Sequence, residues 1–492
     1  MNKKQTVIAS VAKQSLAALA TASLVFGLVA CGSDSSSATD IECLEDENCL
    51  EEDSSDSKEE SSSAKANSSS SSAKKNSSSS SVSSDSKTSS SSTGKDVSSS
   101  SVSSKESSSS VEESSSSSEE ESSSSVELKI TYLSETPNAV DLEVSGDTLF
   151  AVFQRYTLSD DGYTALFNDN GLLALYKLSD GTLLDTIPLV TKNPSAVKVV
   201  KGNVYVATHG EYNTTSWGTD ADDNRGIEKV DLKNKKSELW VSGAALGGGV
   251  APTLFEVNAK TGKGYVAINK YYGSVPIVEV DLASKTVKNI DGVTDATGGF
   301  FMDASGKLYI GDRGFIDWNT YDMGNMNVRI YDGTELTSMF KDLDPDTYEG
   351  FKYQPAGISV VDADTFIYIS DYTSGKLYWV VENDGEKDVC DQDDAIAFSG
   401  DTKIVTVNGK LYVLDRSGKG SISNINTSEK TVNWQQPINA ENPYDIVAID
   451  GSTAWVAMYN TAEIRKISLG DGSTISSIDT KEFSAKKVEV VK

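Results

Sequence analysis

The sequence predicts an all-β fold, a seven-bladed β-propeller of four-stranded antiparallel blades, preceded by a disordered tether. Three observations lead to this prediction. From residue 126 onward, a pattern of short alternating strands recurs seven times with hardly any sign of a helix. One fixed place in each repeat holds an aromatic residue. Residues 32–125, by contrast, are almost entirely Ser, Glu, Asp, Lys and Asn, and they lack the apolar residues that a core needs.

The aromatic residue lies in the second strand of each repeat, and its mean spacing is about 51 residues. Typical second strands are Thr148-Leu149-Phe150-Ala151-Val152 and Asn203-Val204-Tyr205-Val206-Ala207. The full series is Phe150, Tyr205, Tyr265, Tyr309, Tyr368, Tyr412 and Trp455. Seven such residues predict seven blades.

Each repeat begins with a turn and contains a third alternating strand, usually followed by a weaker fourth strand. The turns hold Pro137, Pro194, Pro252, Pro355 and Pro443, with Thr297 and Asp401 at the equivalent places in the other two repeats. Four antiparallel strands per repeat are arranged most simply as blades around an axis, because each blade then covers the apolar face of the next. We expect the chain's other end to complete the last blade, either through residues 127–133 or through the tail at 487–491.

The first thirty residues have the features of a secretory signal peptide. Lys3 and Lys4 precede an uncharged run over residues 14–30, which is at the lower limit for crossing a bilayer and has no basic stop signal after it. The segment Leu28-Val29-Ala30-Cys31 resembles the bacterial lipobox. This resemblance implies that Cys31 is lipidated and becomes the new N-terminus. By the same analogy Gly32 favours the outer membrane or cell surface as the location.

The expected domain organisation is therefore a signal peptide at 1–30, the lipidated Cys31 with a disordered acidic tether at 31–125, and the propeller at 126–492. As a flexible coil the tether spans on the order of 50–60 Å. Its serine runs resemble the linkers of surface proteins in fibre-degrading bacteria. Cys43 and Cys49 are close enough to form a small disulfide loop in an oxidising compartment. Cys390 then has no partner, and a buried, idle thiol is the expected state.

The formal net charge is −29, and both the tether and the propeller region are acidic. A nucleic-acid partner would need a basic face to replace the counterions of the phosphates, and no cluster of Lys and Arg of that kind is present. We therefore expect no nucleic-acid partner, and contact with a membrane only through the lipid anchor.

The repeat pattern resembles the YVTN-type and NHL-like propellers, which are relatives of the WD40 class. The resemblance covers nearly all of 126–492 and is carried by the aromatic-Val-Ala strand, as in Val204-Tyr205-Val206-Ala207. The Trp-Asp pair of WD40 repeats is missing. Propellers have many unrelated functions, so this resemblance implies a fold and not an activity.

The loops between the second and third strands differ in length, and in a propeller they emerge on one face. They are long at 154–171, 209–226 and 312–327, and tight at 371–376 and 415–420. Long loops on a rigid scaffold commonly carry recognition. The candidate ligand-binding residues on this face are Trp217, Trp318, Tyr212, His209, Arg225, Arg313, Tyr321, Tyr271, Tyr272 and Arg155, with Tyr156, Arg416 and Tyr459 in the same set of loops. The alternative is that several of these side chains pack the loops onto the ring.

No cofactor is predicted, and calcium is the one metal for which the sequence offers candidate ligands. The acidic stretches are 220–224, 342–346 and 388–394, none of which is a complete calcium loop, so solvated loops are favoured. His209 is the only histidine, which excludes a two-histidine metal site. Glu211 could pair with it. No catalytic constellation is predicted.

Three hypotheses follow from these observations. The first is a surface-anchored lipoprotein whose propeller binds an extracellular ligand, polysaccharide or protein, through its long-loop face. The second is an envelope scaffold without a small ligand. The third is a propeller hydrolase or lyase that uses His209.

The lipobox resemblance gives a direct test. Replacing Cys31 by Ala removes the thiol to which lipid would be attached, so the protein should be released from membranes or remain as an uncleaved precursor. Detergent partition and the mobility of the processed chain measure the two outcomes. Normal processing together with unchanged partition would contradict the lipid anchor.

Overall fold

The structure is a computed structural model in which a set of segments between residues 127 and 491 is described. These segments are 127–132, 137–158, 165–167, 169–213, 218–219, 222–248, 251–269, 275–316, 323–344, 346–347, 349–362, 364–369, 375–398, 402–416, 420–438, 442–459, 461–483 and 486–491. Their regular structure is β-strand apart from three short 3-10 helices, Asp222–Asn224, Ala296–Gly298 and Lys481–Phe483. No helix in this part of the chain is long and apolar enough to span a membrane. Cys31, Cys43 and Cys49 lie outside the described residues.

The described strands form seven antiparallel blades, which confirms the predicted fold. The first strand, β1 (Glu127–Tyr132), precedes the blades. Blade 1 has β2 (Asn138–Ser145), β3 (Thr148–Gln154), the small hairpin β4 (Thr157–Leu158) and β5 (Ala165–Leu166), β6 (Leu172–Lys177) and β7 (Leu183–Pro188). Blade 2 has β8 (Pro194–Val200), β9 (Asn203–Thr208), the hairpin β10 (Tyr212–Asn213) and β11 (Gly218–Thr219), β12 (Gly226–Asp231) and β13 (Lys236–Ser242). Blade 3 has β14 (Ala251–Asn258), β15 (Lys263–Asn269), β16 (Ile277–Asp281) and β17 (Val287–Ile290).

The remaining blades follow the same order along the chain. Blade 4 has β18 (Phe300–Met302), β19 (Leu308–Asp312), the hairpin β20 (Phe315–Ile316) and β21 (Met323–Gly324), β22 (Asn327–Tyr331) and β23 (Leu336–Ser338). Blade 5 has β24 (Pro355–Val361), β25 (Asp364–Ile369), β26 (Lys376–Asn383), β27 (Glu386–Val389) and a short fifth strand, β28 (Ile396–Ala397), paired with β26. Blade 6 has β29 (Thr402–Val407), β30 (Lys410–Asp415), β31 (Ser421–Asn426) and β32 (Thr431–Pro437). Blade 7 has β33 (Asn442–Ala448), β34 (Thr453–Tyr459), β35 (Glu463–Ser468) and β36 (Thr474–Asp479), and the last strand is β37 (Lys486–Val491).

The core lies between the blades. The buried apolar residues of the described segments form one cluster at each of the seven contacts between neighbouring blades. Alternation along each strand places successive side chains on opposite faces, so each blade supplies residues to two clusters. Val204 and Val206, for example, pack against blade 1, whereas Tyr205 and Ala207 pack against blade 3.

The recurring aromatic residue packs against the following blade in every repeat. Phe150 lies in the cluster between blades 1 and 2, and Trp455 lies between blades 7 and 1. In blade 5 the residue at this place is Phe366, not Tyr368 as the sequence pattern suggested. Phe366 is the third residue of its strand, as Phe150 and Tyr205 are of theirs. Both aromatic residues of β25 point into the same cluster. Counting from the turn before the strand shows that Phe366 is the one equivalent to the aromatic residue of the other repeats.

The expectation that one end of the chain completes the last blade is wrong. Blade 7 takes all four of its strands from residues 442–479. The two ends pair with each other instead, since β1 and β37 form a separate antiparallel ribbon from Glu127↔Val491 to Tyr132↔Lys486. Blades 7 and 1 are joined by packing and by cross-blade hydrogen bonds, such as that from Trp455 Nε1 to the Leu178 carbonyl at 2.8 Å.

Because no blade depends on β37, we expect its removal to be tolerated. A chain ending after residue 484 should unfold cooperatively and lose less than about 5 °C in Tm. Phe483 stays in that variant, and its ring packs 5.2 Å from the ring of Phe153. Calorimetry of both chains measures the difference.

A chain ending after residue 473 is the matched control, because it also loses β36 and with it the outer strand of blade 7. This longer truncation should abolish cooperative unfolding. Collapse of the shorter truncation would show instead that the terminal ribbon closes the ring.

Candidate functional site

Three hairpins extend the same loop in blades 1, 2 and 4. They are β4–β5, β10–β11 and β20–β21, and each lies between the second and third strands of its blade. The antiparallel order of the strands places all loops of this kind on one side of the ring, together with the connections between blades. We call this side the long-loop face. The predicted difference in length between these loops is therefore confirmed, and the long loops contain an additional hairpin.

The arginines predicted for this face have different surroundings. Arg155 forms an ion pair with Asp169 at 3.1 Å, and its Nε donates to the Phe483 carbonyl at 3.2 Å. Arg225 is only 2% exposed. The contacts of Arg155 therefore hold its loop in place. Arg313 is half-buried.

The remaining predicted residues of the face fall in segments whose side chains are not described. Trp217, Trp318, Tyr321, Tyr271 and Tyr272 lie outside the described residues, and of Tyr212 only the backbone, in β10, is described.

His209 is half-buried at the point where β9 ends, and its backbone N–H donates to the Asn193 carbonyl at 2.9 Å. Burial, with a smaller contribution from the charge of Arg225, lowers the pKa of His209 from 6.5 to about 4. The imidazole is therefore neutral at neutral pH. Glu211, considered as its partner, forms an ion pair with Lys192 at 2.8 Å instead.

His209 also belongs to a set of equivalent positions around the long-loop face. Each blade has a residue four positions after its aromatic, where the second strand ends. We call these residues the crown. Its members with described side chains are Gln154, His209, Arg313, Arg416 and Tyr459. The three basic residues of the crown, His209, Arg313 and Arg416, lie in blades 2, 4 and 6, and all are half-buried.

A second polar group lies on the innermost strands, which line the axis of the ring, and the sequence reading missed it. Lys403 Nζ contacts Asp445 at 2.9 Å, and Lys198 Nζ lies 3.5 Å from Glu256 and 3.9 Å from Glu143. These residues belong to blades 6, 7, 2, 3 and 1 in turn. In the sequence, the first strands of these repeats contain charged residues among alternating core residues. An alignment of the first strands would have revealed this axial group.

Two aspartates of this axial group join neighbouring blades. Asp445 of blade 7 accepts a hydrogen bond from the Leu142 N–H of blade 1 at 2.9 Å. Asp141 of blade 1 accepts one from the Val197 N–H of blade 2 at 2.8 Å. Both carboxyl groups are buried.

Burial sets the protonation of these carboxyl groups. It raises the pKa of Asp141 to about 8 and that of Glu143 to about 7, in both cases against the opposing charge of Lys198. Burial also opposes ionisation of Asp445, but the contact with Lys403 outweighs it and holds the pKa of Asp445 below its ordinary value. Asp141 is therefore the protonated member of the pair at neutral pH and Asp445 the ionised one.

The acidic stretches considered for calcium have other contacts where they are described. Asp342 pairs with Arg329 at 2.9 Å, and Asp344 accepts the Asp346 N–H within its own turn at 2.8 Å. The described segments contain no group of three or more His, Cys, Asp or Glu side chains placed to hold a metal ion. Cys390 is buried in the cluster between blades 4 and 5, and burial raises the pKa of its thiol.

The strand pairing makes this chain a seven-bladed β-propeller. No protein-family model matches it, and no curated protein matches it in sequence. Among solved structures it is similar to hydrazine synthase of Kuenenia stuttgartiensis, at 12% identity and a TM-score of 0.45 over 68% of this chain and 96% of that one. It is also similar to the propeller domain of the Trilobed protease of Pyrococcus furiosus, at 12% identity and 0.42 over 69% and 98% of the two chains.

Virginiamycin B lyase of Staphylococcus aureus is a further similar structure, at 14% identity and a TM-score of 0.42 over 68% of this chain and 96% of that one. Likenesses at this level do not extend to function. The assignment of the fold rests on the pairing of the strands themselves.

The opposite pKa shifts of Asp141 and Asp445 predict opposite pH dependences of the folding stability that each contributes. Asp141 has a folded pKa of about 8 against 3.8 for the free group. Its contribution to stability is therefore complete below pH 3.8 and is lost as the pH rises through about 8. Asp445 has a lowered pKa, so its contribution is present above the ordinary value and is lost as the pH falls through the folded value.

Urea unfolding across the acid-to-alkaline range measures both effects. Relative to Asp141→Asn, the wild-type protein should lose stability as the pH rises from about 4 to 8. Relative to Asp445→Asn, it should lose stability only as the pH falls below about 4. Parallel pH profiles for the three proteins would contradict this assignment of the two protonation states.

Proposed function

We propose that this protein is a surface-anchored binding module whose long-loop face recognises an extracellular ligand, either a polysaccharide or a protein. The observation that carries the proposal is the set of three hairpins on one face. The corresponding loops of blades 5 and 6 are short, joining Ile369 to Lys376 and Asp415 to Ser421. A rigid ring with elaborated loops on one side is the usual arrangement of a recognition surface.

The distribution of tryptophan supports this proposal. Four of the six tryptophans lie in blade strands, and these are Trp240, Trp379, Trp434 and Trp455. All four pack with the apolar clusters between blades. The other two, Trp217 and Trp318, fall in the chain segments of two long loops and are thus not part of the repeated blade pattern. Phe315, in the blade 4 hairpin, is 44% exposed, and exposed aromatic residues commonly mark interaction sites.

The anchor proposed with this function is lipid on Cys31, at the outer membrane or the cell surface, with residues 32–125 as the tether. Several acyl chains on one cysteine would give stable attachment, at about 0.8 kcal/mol for each buried CH₂. The tether would hold the recognition face away from the bilayer.

Two other functions are less favoured. A hydrolase or lyase that uses His209 would need a partner for the imidazole, and Glu211 is bound to Lys192. An envelope scaffold without a small ligand does not require elaborated loops on one face. The binding experiment below separates the scaffold from the recognition module.

The double variant Trp217→Ala, Trp318→Ala tests the proposal. It should fold normally and lose most of its affinity for cells, plant-wall material or a partner protein, because aromatic anchors typically contribute about 2 kcal/mol or more each when truncated. Pull-down and titration against these targets measure binding, and circular dichroism measures folding.

Leu184→Ala, Ile475→Ala is the matched control. Both side chains lie on outermost strands and are 53% and 54% exposed, so the control removes exposed apolar side chains away from the loops. Undiminished binding by the tryptophan variant would exclude the long-loop face. A large loss of stability in it would show that both rings belong to the core.

A further inference from the structure

The side of the ring opposite the long-loop face has the turns between the first and second strands and between the third and fourth strands of each blade. We call this side the turn face. In blades 2 and 3 its turns with their flanking residues, 200–203, 231–236, 258–263 and 281–287, contain seven lysines and two aspartates. We call these lysines the lysine patch, and they are Lys201, Lys233, Lys235, Lys236, Lys260, Lys263 and Lys285. They form a local excess of positive charge in a chain whose net charge is −29.

Four members of the lysine patch have their ammonium groups open to a partner. Lys201, Lys233, Lys236 and Lys285 are exposed. In the part of the chain that the structure describes, none of the four ammonium groups pairs with a carboxylate. The other three lysines already have partners within the ring. The lysine patch therefore has charges that the protein itself does not neutralise.

The lysines of blades 2 and 3 meet where the two blades are joined. The Trp240 N–H of blade 2 donates to the Leu282 carbonyl of blade 3 at 2.8 Å. Lys229 of blade 2 and Lys285 of blade 3 both approach the Trp240 ring, with Nζ 4.5 and 3.6 Å from its centre. Glu238 lies opposite Lys229 in the strand pair and reduces the local charge, which stays positive. The lysine patch is therefore one surface that continues across two blades.

Blade 5 has the opposite charge in its equivalent turns. Residues 361–364 and 382–387 contain five acids and one lysine. Asp364 pairs with Lys430 at 2.9 Å. The other four acids are exposed, and we call them the acidic patch, which is Asp362, Glu382, Asp384 and Glu386. Within the described segments, none of their carboxylates has an ion-pair or hydrogen-bond partner.

The two patches correspond in position. The turn at 382–387 lies between the third and fourth strands of blade 5, and the turn at 231–236 has the same place in blade 2. Asp362 and Lys201 both lie in turns between first and second strands. Because the blades repeat around one axis, equivalent turns lie at similar distances from it. Two rings that meet turn face to turn face, about a two-fold axis near blades 3 and 4, thus bring each lysine patch onto the acidic patch of the other ring.

We propose that the turn face binds a second copy of this chain, through two reciprocal contacts between a lysine patch and an acidic patch. The contact uses blades 2–5 of each ring, so it does not bring the acidic turns of blades 1 and 7 together. Both long-loop faces point outward in such a dimer. The inference goes beyond the proposed function and does not depend on the ligand of the long-loop face.

A second copy is favoured over an anionic lipid surface or polymer because the acidic patch lies on the same face as the lysine patch. An extended anionic partner that reached the lysines would also meet the acids of blade 5, and opposed like charges are unfavourable. A second copy satisfies both patches at once. Charges more than about 8 Å apart are largely screened at physiological ionic strength, so the local match of charge outweighs the net charge of each ring.

Two charge-reversal variants of the full chain test the proposal. Lys233→Glu, Lys236→Glu reverses the lysine patch, and Glu382→Lys, Glu386→Lys reverses the acidic patch. Sedimentation velocity at physiological ionic strength should show a concentration-dependent dimer for the wild type. Each variant alone should raise the dissociation constant of the dimer at least about tenfold, because both of its contacts then oppose like charges.

Mixing the two variants gives the decisive measurement. In a mixed dimer the reversed lysine patch faces the reversed acidic patch and the two native patches face each other, so association should return to within about tenfold of the wild type. A merely structural effect of the substitutions would not produce this restoration. All the proteins share residues 1–125, so association through that segment is common to them and does not alter the comparison.

Lys352→Glu, Lys410→Glu is the matched control. Both lysines are exposed and lie outside the two patches, so this variant has the same change in net charge as the lysine-patch variant and should dimerise like the wild type. Weakening as large as that of the lysine-patch variant would show that net charge is responsible and would overturn the proposal.

Three further outcomes would overturn it. The first is a wild type that stays monomeric up to about 100 µM. The second is a mixture of the two variants that associates no better than either alone. The third comes from vesicles of phosphatidylglycerol. If a monomeric wild type binds them and the lysine-patch variant does not, the lysine patch is a membrane contact and the second copy is wrong.

Discussion

The ring depends on the packing of blade 7 against blade 1, although no strand is shared between them. Trp455 and Leu142 are buried in the apolar cluster at this contact, and the Asp445 carboxylate accepts the Leu142 N–H across it. A propeller without this contact would expose two sheet faces. Apolar burial contributes roughly 25 cal/mol per Å², so losing one blade face is costly.

The aspartates that help to join the blades also bring ionisable groups into the axis of the ring. Asp445 is balanced by Lys403, whereas burial leaves Asp141 protonated, and its carboxyl group bonds to blade 2. Blades 4 and 5 have aromatic, Gly and Ser residues on their innermost strands instead. The axis is therefore asymmetric, with its ionisable groups concentrated on the side where the ring closes.

The scaffold separates stability from recognition. The strands of each repeat supply the residues that fill the contacts between blades. The length of the second-to-third-strand loop varies without disturbing these contacts. The sequence placed Arg155 and Arg225 on the recognition face, whereas in the structure Arg155 pairs with Asp169 and Arg225 is buried. Arg313 occupies a similar sequence context and is half-buried.

Sequence by itself determined the number of blades, the strands within them and which loops are long, because alternation and the spacing of one aromatic residue are local features. Tertiary structure decided how the ring closes, since whether β1 or β37 completes a blade depends on pairing between residues that are distant in the chain. It also decided the crown and the axial charges. His209, Arg313 and Arg416 lie about 50 residues or more apart in sequence, and only the register of the blades makes them equivalent.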